Sequence, residues 1–169
     1  MEISGKTAVS KVTIPPKDFE ITRLWFEADK NDSSMFYLWT HFVDNPKNDN
    51  FYRVFTKVKN TDKRYIATHL STFSDQFFNG ASVDFPMYKG MRSLVDNEKE
   101  YRFNKGDTVF LKISSIDSVS FKFWANYESE MNNAGNPFSG SGKNLNSNIE
   151  GGLGVWSGYN STIYRIIAE

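Results

Sequence analysis

Twenty Asp and Glu residues lie in a chain of 169. Two acids facing one another across a cleft are what glycoside hydrolysis requires, and Asp75, Asp107 and Glu150 are candidates for such a pair. A domain this rich in acids supplies pairs by composition alone, so they carry little weight. The two histidines, His41 and His69, both fall in expected strands. Neither a nucleophile elbow nor a His-x-x-x-His spacing accompanies them, which leaves a Ser/His/Asp assembly or a two-histidine metal site without a supporting motif. The oxygens of Asp44, Asn45, Asn48, Asp49 and Asn50 are of the type that wraps calcium. Lys47 interrupts the series and the spacing misses the calcium-loop pattern. We read it as a solvated hairpin turn, and Asp29, Asp32 and Asp75 likewise as turn residues.

The glycine-rich run Ser147-Asn148-Ile149-Glu150-Gly151-Gly152-Leu153-Gly154-Val155-Trp156 admits two readings. Asn148 with Gly151, Gly152 and Gly154 could form a nest of backbone amides for an anion or a sugar hydroxyl. The preferred reading is architectural: glycines that take positive φ and pack the loop against a helix. A phosphate-binding fingerprint is excluded, because no helix follows the glycines and no Lys-Ser/Thr closes the run. Among the aromatics, Trp25, Trp39, Trp124 and Trp156, with Tyr37, Tyr52 and Tyr88, offer flat surfaces for sugars or protein partners. Most must fill the core, since leucine is scarce. Trp156 and Phe138, in or beside the long loop, are the rings expected at the surface. The expected binding residues are therefore Trp156, Phe138 and Asn148, with Gly151, Gly152, Gly154, Asn136 and Pro137 shaping the loop. No residue is assigned to catalysis or to a metal, and no cofactor is expected.

The elements that must position these residues read mainly as strands. Aromatics are 16% of the chain, with 15 Phe, a composition that favours β-structure. Candidate strands are Val9 to Ile14, stopped by Pro15-Pro16, Phe19 to Ala28, Met35 to Val43, Phe51 to Val58, Tyr65 to Leu70, Val83 to Met87, Lys99 to Phe103, Thr108 to Ser114 and Tyr159 to Ile167. Met35 to Val43 carries rings on both alternating sets, which predicts a strand buried on both faces or central in a sandwich. One helix is expected, Asp117 to Met131. Asp117 is a good N-cap, Val119, Phe123, Tyr127 and Met131 recur every fourth position, and Gly135 and Pro137 supply the stop. The pattern predicts an all-β fold, a sandwich or partly open barrel of about eight antiparallel strands with one helix in the C-terminal half.

Charge and composition bound the function further. Lys plus Arg equals Asp plus Glu, for zero net charge, so no nucleic-acid footprint or polybasic membrane patch is expected. The absence of cysteine removes thiol chemistry and disulfides. No apolar run is long enough to span a bilayer as a helix, and the residues after Met1 contain no apolar signal core.

Thr13-Ile14-Pro15, Phe73-Ser74-Asp75-Gln76-Phe77-Phe78-Asn79-Gly80, Gly106-Asp107-Thr108-Val109, Asn136-Pro137-Phe138-Ser139 and the run from Ser147 to Trp156 follow one another in an order that resembles a known family. The chain is similar to Bacteroidota lipoproteins grouped as domain of unknown function 4249, across nearly all of residues 12 to 167. The resemblance implies a C-terminal, β-rich domain over residues 17–169. Residues 1–16 would then be a lead-in or the last strand of a preceding immunoglobulin-like domain. It implies export, and attachment to the outer membrane or cell surface through a lipid anchor that this chain does not carry. It also implies association with uptake systems that depend on TonB. No catalytic residue is implied. The expected role is a non-catalytic binding or accessory module, with a TonB-dependent transporter or an envelope glycan as partner. A glycan-acting hydrolase and a purely structural module are the alternatives.

Overall fold

The computed structural model describes residues 2–3, 6–90, 101–133 and 145–169. Short strands β1 (Glu2–Ile3), β2 (Lys6–Thr7) and β3 (Val9–Ser10) open the chain. Then come β4 (Phe19–Ala28), β5 (Met35–Asp44), β6 (Phe51–Val58), β7 (Ile66–Ser74), β8 (Ser82–Met87), β9 (Phe103–Asn104) and β10 (Thr108–Ile116). The helix α1 (Ser118–Asn133) and strands β11 (Ile149–Glu150) and β12 (Asn160–Ile167) complete it. Two four-stranded antiparallel sheets dominate: β12-β10-β6-β7, and β4-β5-β8 with β9 paired to β5. The fold is all-β, with no closed barrel and the helix in the C-terminal half, as the sequence pattern predicts.

Alternation explains how the sheets face each other. Tyr52, Val54 and Val58 of β6 and Val109, Leu111 and Ile113 of β10 point inward and are buried. They meet Phe19 of β4, Leu38 and Phe42 of β5 and Met87 of β8 in one core cluster. Rings do the packing. Phe42 stacks on Phe19 with centroids 5.3 Å apart and meets Tyr52 edge-on at 5.0 Å, arrangements that add to simple area burial.

Strand β5 is central in its sheet, between β4 and β8, and is not buried on both faces. Phe36, Leu38, Thr40, Phe42 and Asp44 are buried, whereas Met35, Tyr37, Trp39, His41 and Val43 are half-buried. Only one face enters the core, because no layer among the described residues covers the other. Trp39 therefore stacks on its cross-strand partner Trp25, 6.3 Å away, on the outer surface. Other bounds shift as well. The first expected strand survives only as Val9–Ser10. Strand β7 runs four residues past Leu70, to Ser74. Of Lys99 to Phe103, only Phe103 lies in a strand, and residues 99 and 100 fall outside the described residues.

The helix starts as its capping residue dictates. The Asp117 carboxylate accepts the Ser120 amide at 2.7 Å, satisfying a donor that the first turn leaves unpaired. The helix docks on β6 and β7. Phe121 meets Phe51 at 4.8 Å, and the Arg53 guanidinium lies 3.5 Å from the centre of the Trp124 ring. Glu128 accepts hydrogen bonds from the Ser71 and Thr72 hydroxyls.

Candidate functional site

Strand β7 holds the key irregularity. Its pairing with β6 runs from Phe51↔Ser74 to Arg53↔Thr72, then resumes at Phe55↔Ala67, so four residues of β7 stand opposite Val54 alone. Thr68 bridges Gly90 instead, and the Gly90 amide donates to the Thr56 hydroxyl at 2.7 Å. Within this bulge Leu70 has φ +50°, a left-handed conformation that costs a β-carbon-bearing residue free energy and tends to mark functional sites. Bulges of this kind re-aim side chains. Here Ser71 turns to the helix, while His69 turns to Tyr101, 5.2 Å between ring centres.

The bulge lies beside the gap between β7, the edge of one sheet, and β8, the edge of the other. Into this seam opens a cavity of about 320 Å³, walled by Phe73, Phe77, Phe78, Phe85 and Met87, with His69 and Tyr88 at its mouth. A second hollow of about 470 Å³ shares His69, Leu70 and Tyr88 with the first and adds Tyr37 and Tyr101. Tyr88 meets Tyr101 edge-on at 5.8 Å. The result is an apolar pocket continuous with a rim of one imidazole and three phenols, the composition typical of sites that recognise an apolar group and orient it with few polar contacts.

The floor is built by the turn between β7 and β8. Asp75 accepts the Asn50 amide at 2.8 Å while its own amide donates to the Asn50 carbonyl at 3.2 Å. Burial raises the Asp75 pKa, and the Asn50 backbone bond partly offsets this. The Gly80 amide donates to Asp44 at 3.0 Å. Gly80 has φ +71°, and a β-carbon there would stand 2.6 Å from Pro46 Cβ, so no other residue fits. The turn leaves Phe78 packed against the core and Phe77 93% exposed at the pocket wall.

The sequence-derived binding residues are not in this site. Asn148 is spent inside its own loop. Its side chain donates to the Trp156 carbonyl and accepts the Trp156 amide, both at 2.8 Å, and its backbone amide donates to the Gly154 carbonyl at 3.2 Å. Trp156 is 63% exposed, as expected. Gly151 and Gly154 have φ +78° and +129°, but Gly152 does not adopt positive φ, which corrects the expectation for that glycine. Nor does the loop pack on the helix in the described contacts. β11 pairs with β3 instead, and the Ser10 hydroxyl donates to the Asn148 carbonyl at 2.7 Å. Asn136, Pro137 and Phe138 lie outside the described residues.

The other candidate groups serve structure. Asp107 accepts the Asn104 amide at 2.9 Å in the β9–β10 turn, Asp75 holds Asn50, and Glu150 lies in β11; these three acids do not converge. Asp44 accepts the Tyr52 hydroxyl. The buried phenol is pushed well above its ordinary pKa by desolvation and then by that acceptor. Asp29 accepts Asn31 N at 2.7 Å and pairs with the buried Arg102. His41 and Asp84 form an exposed pair on the outer face of β5 and β8. Among the described residues, no group of three or more His, Asp or Glu is arranged to hold a metal ion.

His69, Leu70, Phe77, Tyr88 and Tyr101 escape sequence reading because three separate segments assemble them. One signal was present: two consecutive rings, Phe77-Phe78, in a short polar turn, where only one can face inward.

A family model described as Domain of unknown function (DUF4249) matches residues 2–165. No curated protein and no solved structure matches the chain. No helix among the described residues is long and apolar enough to cross a membrane.

Proposed function

We propose, for a chain that belongs to the DUF4249 family, a non-catalytic binding module whose seam pocket receives an apolar or ring-bearing group of its partner. The observation that carries this reading is the open pocket between β7 and β8, whose walls are phenylalanines and whose rim carries His69, Tyr88 and Tyr101. Its volume, about 320 Å³, falls within the range of small-ligand sites and suits one large side chain or a compact apolar ligand. The site rests on two strand edges and a turn fixed by Asp75 and Gly80, so it is preformed and this module orders little on binding.

The setting we propose is the cell envelope, at the outer membrane or cell surface, through a lipid anchor. The partner we propose is a TonB-dependent transporter, which the module would assist in uptake or assembly. Both rest on the resemblance to the lipoproteins. Co-purification of an anchored full-length protein with such a transporter, lost on Phe77→Ala and Tyr88→Ala, tests the pocket and the partner together.

Envelope glycan binding is a second reading, and one observation favours it. The half-buried Trp25 and Trp39 stack on an exposed sheet face, with Arg23 over Trp25 and the His41–Asp84 pair joining β5 to β8 on the same face. Rings and polar groups side by side suit sugar recognition. Glycan binding abolished by Trp39→Ala and untouched by Phe77→Ala would establish it over the pocket.

A further inference from the structure

The outward positions of β6, β10 and β12 carry charge of one sign, while α1 covers β7 on the same face and sets Glu128 against it. Pairing register places Phe110 of β10 between Lys57 and Arg165, and Lys112, one outward row along, between Phe55 and Ile163. The outward positions of β6, β10 and β12 contain no carboxylate, and the turn after β6 adds exposed Lys59, Lys63 and Arg64 around one buried acid, Asp62, which accepts the Val58 amide. With zero net charge over the whole chain, this positive surplus is a local segregation that composition hides. Among the described residues, no carboxylate pairs with Lys57, Lys112 or Arg165.

Lys112, at the centre of the patch, is held in place. The Lys112 ammonium lies 4.1 Å from the centre of the Phe55 ring and 5.0 Å from that of Tyr65. Burial, and then the nearby Arg53, hold its pKa down, so it is a cation short of counter-charge. Beside it Ile163 is 52% exposed.

The geometry points to a docking surface for an extended acidic segment of a partner protein in which carboxylates alternate with apolar side chains. Neighbouring strands are about 4.8 Å apart and like-facing residues along a strand about 6.7 Å, so Lys57, Lys112 and Arg165 form a triangle with sides of roughly 8 to 10 Å. An extended segment repeats its like-facing side chains every 6.7 Å or so, within reach of long Lys and Arg stems. The apolar Phe110 and Ile163 between the cations would receive its apolar side chains, which a charged polysaccharide does not offer. A bilayer would need apolar groups standing clear of the cations, whereas Phe55 and Phe110 are half-buried between them. This surface is independent of the seam pocket.

The test uses fluorescence anisotropy on the whole chain with a short labelled peptide of alternating Glu and Leu. A matched peptide with Lys for Glu, anionic phospholipid vesicles and a polyuronate serve as comparators. The Glu peptide is expected to bind, weakening about tenfold from low to physiological ionic strength. Lys57→Glu with Arg165→Glu should abolish binding. Lys112→Met, whose apolar stem still packs on Phe55 and Tyr65, should weaken it several-fold with no loss of thermal stability. Equal binding of the Lys peptide, or unchanged affinity in these variants, would overturn the proposal. Binding of vesicles or polyuronate in place of the peptide would assign the face to another anion and also overturn it.

Discussion

Asn148 and Trp156 lock the terminal loop together: the Asn148 side chain donates to the Trp156 carbonyl and accepts the Trp156 amide, each at 2.8 Å. One side-chain amide thus does what a pair of strand residues does in a ladder, and it closes the glycine-rich run into a fixed ring. The Asn therefore holds the loop's shape, and the exposed Trp156 and Leu153 side chains are what the ring presents.

Replacing Asn148 with Ala removes both bonds. We expect a loss of about 1 to 2 kcal/mol, since each net hydrogen bond contributes roughly 0.5 to 1.5. Asn148→Asp keeps the acceptor for the Trp156 amide and should lose about half as much. Chemical denaturation followed by circular dichroism checks the order; equal stability of all three proteins would remove the lock from the account.

Adjacent glycines in this loop should differ. Gly151 has φ +78°, and an added β-carbon would stand 2.6 Å from the Thr7 carbonyl oxygen. Gly151→Ala therefore combines backbone strain with a clash against main chain and should cost more than about 1 kcal/mol. At Gly152 the β-carbon meets a methyl of Ile149 at 3.2 Å and Ala8 Cβ at an ordinary 3.9 Å, with no positive φ, so Gly152→Ala should cost less than half as much. Paired melts decide the order, and a larger loss at Gly152 would contradict the loop geometry.

Two carboxylates give opposite pH responses. The Asn31 amide first, and then Arg102, depress the pKa of Asp29. Its stabilisation is present above the ordinary carboxylate pKa of about 4 and is lost as pH falls through the lower folded value. Asp75 is raised by burial, so its contribution is full below about pH 4 and declines as pH rises through the folded value. Asp29→Asn should lower the melting temperature at pH 7 and flatten the acid limb of the stability profile. Asp75→Asn, which keeps an acceptor for the Asn50 amide, should raise it at pH 7 with no gain at pH 3. Melting temperature against pH for the two variants reads both signs.

Much of the architecture is visible in the sequence because it rests on short-range rules. Asp117 and the fourfold recurrence of Val119, Phe123 and Tyr127 mark the helix. Polar turns bound β4, β6 and β10. The motif residues behind the family resemblance prove architectural where the structure describes them: Asp75 ties to Asn50, Gly80 to Asp44, Asp107 to Asn104 and Asn148 to Trp156. They mark where the chain turns and say little about what it binds. The pocket was hidden for the complementary reason. A leucine in left-handed conformation, a four-residue bulge and the meeting of two sheet edges are tertiary outcomes with no local signature. Likewise rings on both faces of β5 left double burial and a central sandwich strand as alternatives, and sequence alone does not show that Trp25 and Trp39 cover one another on the outside.

The seam pocket is the central claim, and a two-dimensional NMR titration of the isotope-labelled chain with N-acetyl-phenylalanine amide tests it most directly. Saturable shifts are expected at His69, Leu70, Phe77, Tyr88 and Tyr101, weakened several-fold in Phe77→Ala. That exposed ring can be removed at a stability cost within about 0.5 kcal/mol, so loss of binding would not reflect loss of fold. Shifts absent from the seam, or spread over the surface and unchanged by Phe77→Ala, would contradict the account.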